Sequence, residues 1–199
     1  MQTTFPRLML KHAAERPTAP ALREKEYGIW QTTPWAELAH LVETVACGLH
    51  QAGLQRGEHL VIVGSNRPRL YATMLAAQSL GAIPVNLYQD AAAPECVYPM
   101  TNAEVRFAVV EDQEQVDKML EVREQYPQLA HIFYDDPRGL RNYTEEGLGS
   151  VEELIAAGEV FAKQHPQFFR EEVEKGQHGD VAAMFFTSGT RSRMARCTR

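Results

Sequence analysis

Between Thr33 and Asp136, short β-branched runs alternate with longer amphipathic stretches, and few folds accept that pattern. The runs are His59–Val63 (HLVIV), Ile83–Leu87 (IPVNL), Val105–Val110 (VRFAVV) and His131–Asp136 (HIFYDD). Their shortness and their Val and Ile content predict buried strands. Before the first run, Leu38, Leu41, Val42, Val45 and Leu49 recur at helical spacing. That spacing predicts a helix with Thr33 as its cap, Pro34 at its first position and Gly53 as its stop. Arg69–Gly81 reads as a second helix. Ala93–Asn102 reads as a third, expected to be short or kinked, because Pro99 inside it costs about 3 kcal/mol. Asp112–Tyr126 is a charged helix with Val116, Met119, Leu120 and Arg123 spaced along it. Strand, helix, strand, helix at this pace implies right-handed βαβ units. The fold class is therefore α/β, a parallel sheet with helices on both faces. In such sheets ligands lie beyond the carboxyl ends of the strands.

From Arg138 to Gly179 the pattern loosens, with one charged helix expected at roughly Ser150–His165. Val181–Phe186 (VAAMFF) then reads as a strand, assigned to a different layer because a long excursion precedes it. Met74, Phe107, Phe133, Phe185 and Phe186 read as core packing, and Glu111–Gln125 as a solvent-facing stretch.

The net charge of −6 argues against general nucleic-acid binding, which requires a basic patch. Cys47, Cys96 and Cys197 form no CxxC or metal spacing and read as inert thiols of a reducing compartment. No signal peptide is apparent, and no apolar run approaches the roughly 18–20 residues that span a bilayer. A cytoplasmic protein is expected, with peripheral membrane contact left open. The histidines show no HxxxH or HExxH spacing, and Ser188 lies in no GxSxG turn. Asp135-Asp136 has the chemistry of a magnesium ligand pair, but two acids before Pro137 read better as a turn.

One short segment carries binding chemistry. Thr187-Ser188-Gly189-Thr190 follows the apolar run directly. A glycine-bearing turn lets successive backbone N–H groups face an anion, and the hydroxyls add donors, so the segment suits phosphate. The Walker A spacing is absent. The sequence GDVAAMFFTSGT resembles the phosphate-loop entry of the adenylate-forming (AMP-binding) acyl-CoA synthetase family. The stretch from Thr33 to Glu95 and the block AEVRFAVVEDQEQVDKMLEV resemble that family's N-terminal region, and YDDPRGLRNY resembles its bacterial-style long-chain fatty acid branch.

This resemblance implies ATP-dependent activation of a long-chain fatty acid to acyl-adenylate and then acyl-CoA, with ATP, Mg2+ and coenzyme A. It makes Thr187, Ser188, Gly189 and Thr190 a partial ATP phosphate loop and assigns no catalytic residue. Residues 1–190 are expected to be the first part of the synthetase domain. Residues 191–199, where the family continues Thr-Gly-x-Pro-Lys-Gly and this chain reads RSRMARCTR, are expected to be a disordered tail foreign to the motif. NYTEE at Asn142–Glu146 lacks the spacing of the family's downstream Tyr-x-x-Thr-Glu motif and reads as a solvated loop. The chain alone is expected to be inactive and to bind none of these molecules tightly. The alternative is a non-catalytic interaction module, self-associating or pairing with another protein through uncovered apolar faces.

Overall fold

The computed structural model describes residues 3–186 and 195–197. Helix α1 (Phe5–Glu15) leads into a hairpin of β1 (Pro20–Glu26) and β2 (Ile29–Pro34). Then come α2 (Trp35–Gln51), β3 (His59–Val63), α3 (Pro68–Ser79), β4 (Ile83–Leu87), α4 (Ala93–Asn102), β5 (Phe107–Val110), α5 (Gln113–Gln125) and β6 (His131–Tyr134). The described chain continues through β7 (Leu148–Ser150), α6 (Val151–Gln164), α7 (Phe168–Lys175), β8 (Ala183–Phe185) and β9 (Ala195–Cys197). The main sheet has the order β7-β6-β5-β3-β4-β8-β9. Its first six strands run parallel, and β9 joins antiparallel to β8.

The α/β architecture expected from the alternation is the one observed. Successive strand residues point to opposite faces, and both faces are dry. Leu60, Ile62, Phe107 and Val109 pack with α1, α2, α3, α6 and α7. Val61, Val63, Ala108 and Val110 pack with α4 and α5 on the other side. This two-sided burial explains why the central strands are continuous apolar runs. Local signals agree with it. Ser150 and Glu153 form a reciprocal capping box at the start of α6, with Ser150 Oγ accepting from the Glu153 N–H at 3.1 Å. Asp112 caps α5 by accepting from the Gln115 N–H at 3.3 Å. Helix α4 runs for ten residues with Pro99 buried inside it.

Four expectations need correction or completion. Strand β8 belongs to the same sheet, parallel to β4, and not to a different layer: α6 and α7 return the chain to the free edge of β4. Thr33 is no helix cap and Pro34 is not the first helical residue. Thr33 pairs with Leu22 in the hairpin, and Pro34 is itself the residue before α2. The first N–H groups of α2 are satisfied by backbone instead, Trp35 donating to the Ala19 carbonyl and Ala36 to that of Pro17. Phe185 is no core residue; it is 42% exposed and borders open space beside Leu70, Tyr71 and Met74 of α3. The charged helix α5 does bury one stripe, Gln115, Val116, Met119 and Val122. The hairpin, β7 and α7 were not anticipated. The arginine-rich segment is described only at Ala195–Cys197, within β9.

Cys47 and Cys96 are buried free thiols, and burial pushes Cys47 up to about 12, Glu43 adding to the effect. Among the described residues no helix is long and apolar enough to cross a membrane.

Helices α2 and α6 meet through two glycines. A Cβ on Gly158 would lie 1.8 Å from the Thr44 carbonyl oxygen, and one on Gly48 would lie 2.2 Å from that of Leu154. Backbone cannot yield as a side-chain tip can, so the helices would have to separate. Gly158→Ala is expected to destabilise the fold by about 1–3 kcal/mol. Gly179→Ala, with nothing within 4 Å of the added atom, is the matched control expected to be near neutral. Urea midpoints of the two variants check this.

Candidate functional site

Parallel pairing brings the carboxyl ends of β3, β4, β5, β6 and β8 to one rim of the sheet. The segments that leave this rim are Gly64–Arg67, Tyr88–Asp90, Glu111–Asp112, Asp135–Asp136 and Phe186 onward. Thr187, Ser188, Gly189 and Thr190 lie outside the described residues. What the fold does show is their anchor. Met184 is buried and pairs with Val85, and Phe185 pairs with Asn86.

Strand order locates a switch point. From β3 the chain passes over α3 to β4 on one side, whereas from β5 it passes over α5 to β6 on the other. Since α3 and α5 cover opposite faces, a crevice opens between the ends of β3 and β5. Glu111 fills it. Its carboxylate accepts from the Ser65 N–H at 2.5 Å and from Arg67 Nε at 2.9 Å, while its own N–H donates to the Val63 carbonyl at 3.0 Å. Arg67 also reaches Glu24 of the hairpin at 3.6 Å. Burial works to raise the Glu111 carboxyl, but Arg67 and the Ser65 N–H outweigh it and hold it below its ordinary value. Gly64 makes this approach possible, because a Cβ there would sit 2.7 Å from the Glu111 Cβ.

The other rim acids are also engaged. Asp135 accepts from Arg69 at 3.2 Å, and Arg69 further contacts Glu152 at 3.1 Å. Burial pushes the Asp135 carboxyl up, with Arg69 opposing. Asp136 is gripped by Arg138, which holds it below the usual carboxylate range. The two aspartates therefore behave as ion-pair partners within a turn. Tyr143 of the NYTEE segment is tied to α5, accepting from Gln113 at 2.9 Å and donating to Asp117 at 2.6 Å.

With the crevice filled by Glu111, open space lies on the β4–β8 side. A cavity of about 320 Å³ is bounded by Gly64–Asn66, by Leu70, Tyr71 and Met74 of α3, and by Asn86, Leu87 and Phe185. Its walls are mixed: aliphatic below, with Ser65, Asn66 and Asn86 at the mouth. The Tyr71 hydroxyl donates to Asn66 Oδ1 at 3.0 Å and stiffens that side. Lys118 of α5 donates to the Gln89 carbonyl and, at 2.8 Å, to Gln115 Oε1, so it ties the loop after β4 to the helix. Arg67 escaped the sequence reading, and Glu111 and Lys118 fell within the stretch read as solvent-facing, which the inward turn of Glu111 to Ser65 and Arg67 corrects. The position of Glu111 at the end of an apolar run was the available signal.

Residues 9–193 match the family of AMP-binding enzymes. The chain belongs to that family. It is 26% identical over 190 residues to the long-chain-fatty-acid–CoA ligase ACSBG2 of Homo sapiens, covering 94% of this chain and 27% of that protein. It is 22% identical to the long-chain-fatty-acid–CoA ligase FadD15 of Mycobacterium bovis, covering 96% of this chain and 30% of that one. The crystal structure of the anthranilate CoA ligase AuaEII in complex with anthranoyl-AMP superimposes with a TM-score of 0.77 at 19% identity. That likeness covers 98% of this chain and 35% of the other, and at such identity it speaks for the fold. The chain thus spans between a quarter and a third of the length of these curated relatives. In this member of the AMP-binding family, the rim of the parallel sheet is the part of the described chain that directly precedes Thr187.

The Glu111 clamp has a pH signature. A carboxyl held below its unfolded value contributes stability that is present above that value and lost as pH falls through the folded one. Arg67 and the Ser65 N–H together hold the charge, and water screens the share of the partly exposed Arg67. Glu111→Gln is expected to lower stability by about 1–2 kcal/mol at neutral pH. The difference should shrink as pH falls from the ordinary 4.5 through the lower value of the folded carboxyl, where the native carboxylate becomes protonated. Denaturant titrations of both proteins across that range check the sign.

Proposed function

We propose that this chain is the opening part of a ligase that activates a long-chain fatty acid with ATP and transfers it to coenzyme A. One observation carries the reading: the AMP-binding family matches residues 9–193 within a chain whose curated relatives are long-chain-fatty-acid–CoA ligases. In this reaction the acid's carboxylate attacks the α-phosphorus, pyrophosphate leaves, and the thiol of coenzyme A then displaces AMP. The part assigned to these residues is grip and orientation. Thr187, Ser188, Gly189 and Thr190 offer hydroxyls and amides, a donor set that fits the oxygens of a triphosphate. Strand β8, pinned between β4 and β9, gives that loop a rigid base. Such donors act by meeting developing negative charge from fixed positions. The described rim carboxylates do not fit magnesium, since Glu111, Asp135 and Asp136 each already receive an arginine. No step is assigned to a metal here.

By itself the 199-residue polypeptide is proposed to be inactive and to hold ATP only weakly, because these residues supply the phosphate grip and no catalytic group. Two measurements test the proposal. Purified chain mixed with ATP, magnesium and a long-chain acid is expected to release no pyrophosphate above background. Residues 3–186 grafted in place of the matching part of the Mycobacterium bovis ligase are expected to restore acid-dependent pyrophosphate release. A folded but inert chimera would refute the ligase reading.

A second reading is a non-catalytic interaction module. It is favoured by Phe5 and Leu8, 50% and 36% exposed, beside a groove of about 540 Å³ between α1 and the starts of β4 and β8. Elution above the 22.4 kDa of one chain on size exclusion supports it, and a clean monomer counts against it.

A further inference from the structure

The β1–β2 hairpin does no work at the rim beyond its Glu24 contact, yet it groups three of the large apolar side chains that the described chain leaves exposed. Tyr27, Ile29 and Trp30 are 89%, 65% and 58% exposed. The turn is built from Tyr27 at φ 47° and Gly28 at φ 83°. Glycine or asparagine is the ordinary choice at such a position, and a tyrosine there is strained. A strained aromatic held wholly in solvent points to a use outside the folded core.

The two faces of the hairpin differ in charge. Pairing sets Lys25 opposite Trp30 and Arg23 opposite Thr32, and Arg23 lies over the Trp30 ring at 5.1 Å. These residues share one face. Glu24 and Glu26 share the other with Ile29, and Glu24 turns inward to Arg67 at 3.6 Å. The outward face therefore carries two cations and an indole with no acid, on a chain whose net charge is −6. Tyr27 stands at its tip.

We propose that this hairpin docks the protein on a bilayer that contains anionic phospholipid. Arg23 and Lys25 meet lipid phosphates, and Trp30 and Tyr27 sit at the headgroup level that amphipathic rings prefer. Ile29 lies on the opposite face, paired with Glu26, and is no part of the lipid contact. A folded protein is the weaker occupant on area. Three side chains and a narrow ribbon fall short of the roughly 800 Å² per partner of a stable interface, whereas a bilayer needs no matching shape. The inference is independent of the ligase reading, since docking is measured with neither ATP nor acid present.

The test is co-flotation of the 199-residue chain with unilamellar vesicles of phosphatidylcholine, alone or mixed with phosphatidylglycerol. Binding is expected to be about tenfold tighter to the anionic mixture and to weaken with salt. Arg23→Gln with Lys25→Gln should abolish the anionic preference. Tyr27→Asn with Trp30→Thr, which keeps a residue suited to the turn, should lower affinity to both vesicle types by about tenfold. Quenching of wild-type tryptophan emission by brominated lipid needs no variant and is expected in the anionic mixture. Absence of flotation, absence of quenching, or equal binding by folded variants each overturns the proposal. So does a shift in oligomer size, lost with Trp30→Thr, in a chain that ignores vesicles, which would assign the hairpin to a second copy.

Discussion

Short parallel strands can be stable only when both of their faces are covered, and every other feature follows from that requirement. Leu60, Val61, Val109 and Val110 are completely buried, two toward each helical layer. A parallel strand cannot be reached by a tight turn, so each return must cross the sheet as a helix. The result is an obligatory separation of roles. One rim collects the loops that leave the strands, and the opposite rim collects those that enter them. The carboxyl end of β8, from which Phe186 leads on, consequently shares its rim with Glu111, Asp135 and the cavity beside Asn86.

The rim is shaped by charge pairing. The crevice between β3 and β5 is the place where a doubly wound sheet commonly receives a ligand. Here Glu111 occupies it and draws Ser65 and Arg67 inward. Arg67 extends the linkage to the hairpin through Glu24, and Arg69 joins β6 to the start of α6 through Asp135 and Glu152. Pairs of this kind add little stability when exposed, but the Ser65 N–H bond is partly buried and fixes the course of a loop. Open space is thereby left toward β4 and β8, the side on which the expected phosphate loop begins.

Much of the architecture was legible residue by residue. The runs His59–Val63 and Ile83–Leu87 are strands over the expected residues. Ser150, with Glu153 three positions on, opens a helix as local chemistry dictates. The failures share a cause. Thr33-Pro34 has the composition of a helix start, but pairing with Leu22 across the hairpin overrides it. Val181–Phe186 was assigned to another layer because sequence distance was read as spatial distance, and α6 and α7 cancel that distance. Phe185 has the chemistry of a core residue, but in the described structure it borders the cavity beside α3 and stays 42% exposed.

The sequence by itself determined the fold class, the four strands β3 to β6 of the sheet and the family to which the chain belongs, because periodicity and local motifs are properties of neighbouring residues. Tertiary structure alone decided which strands became adjacent, that Glu111 would meet Ser65 across 46 positions, and that Arg23, Lys25 and Trp30 would share one outward face. Such contacts depend on how elements pack in space, and no local pattern of side chains encodes a partner so distant along the chain.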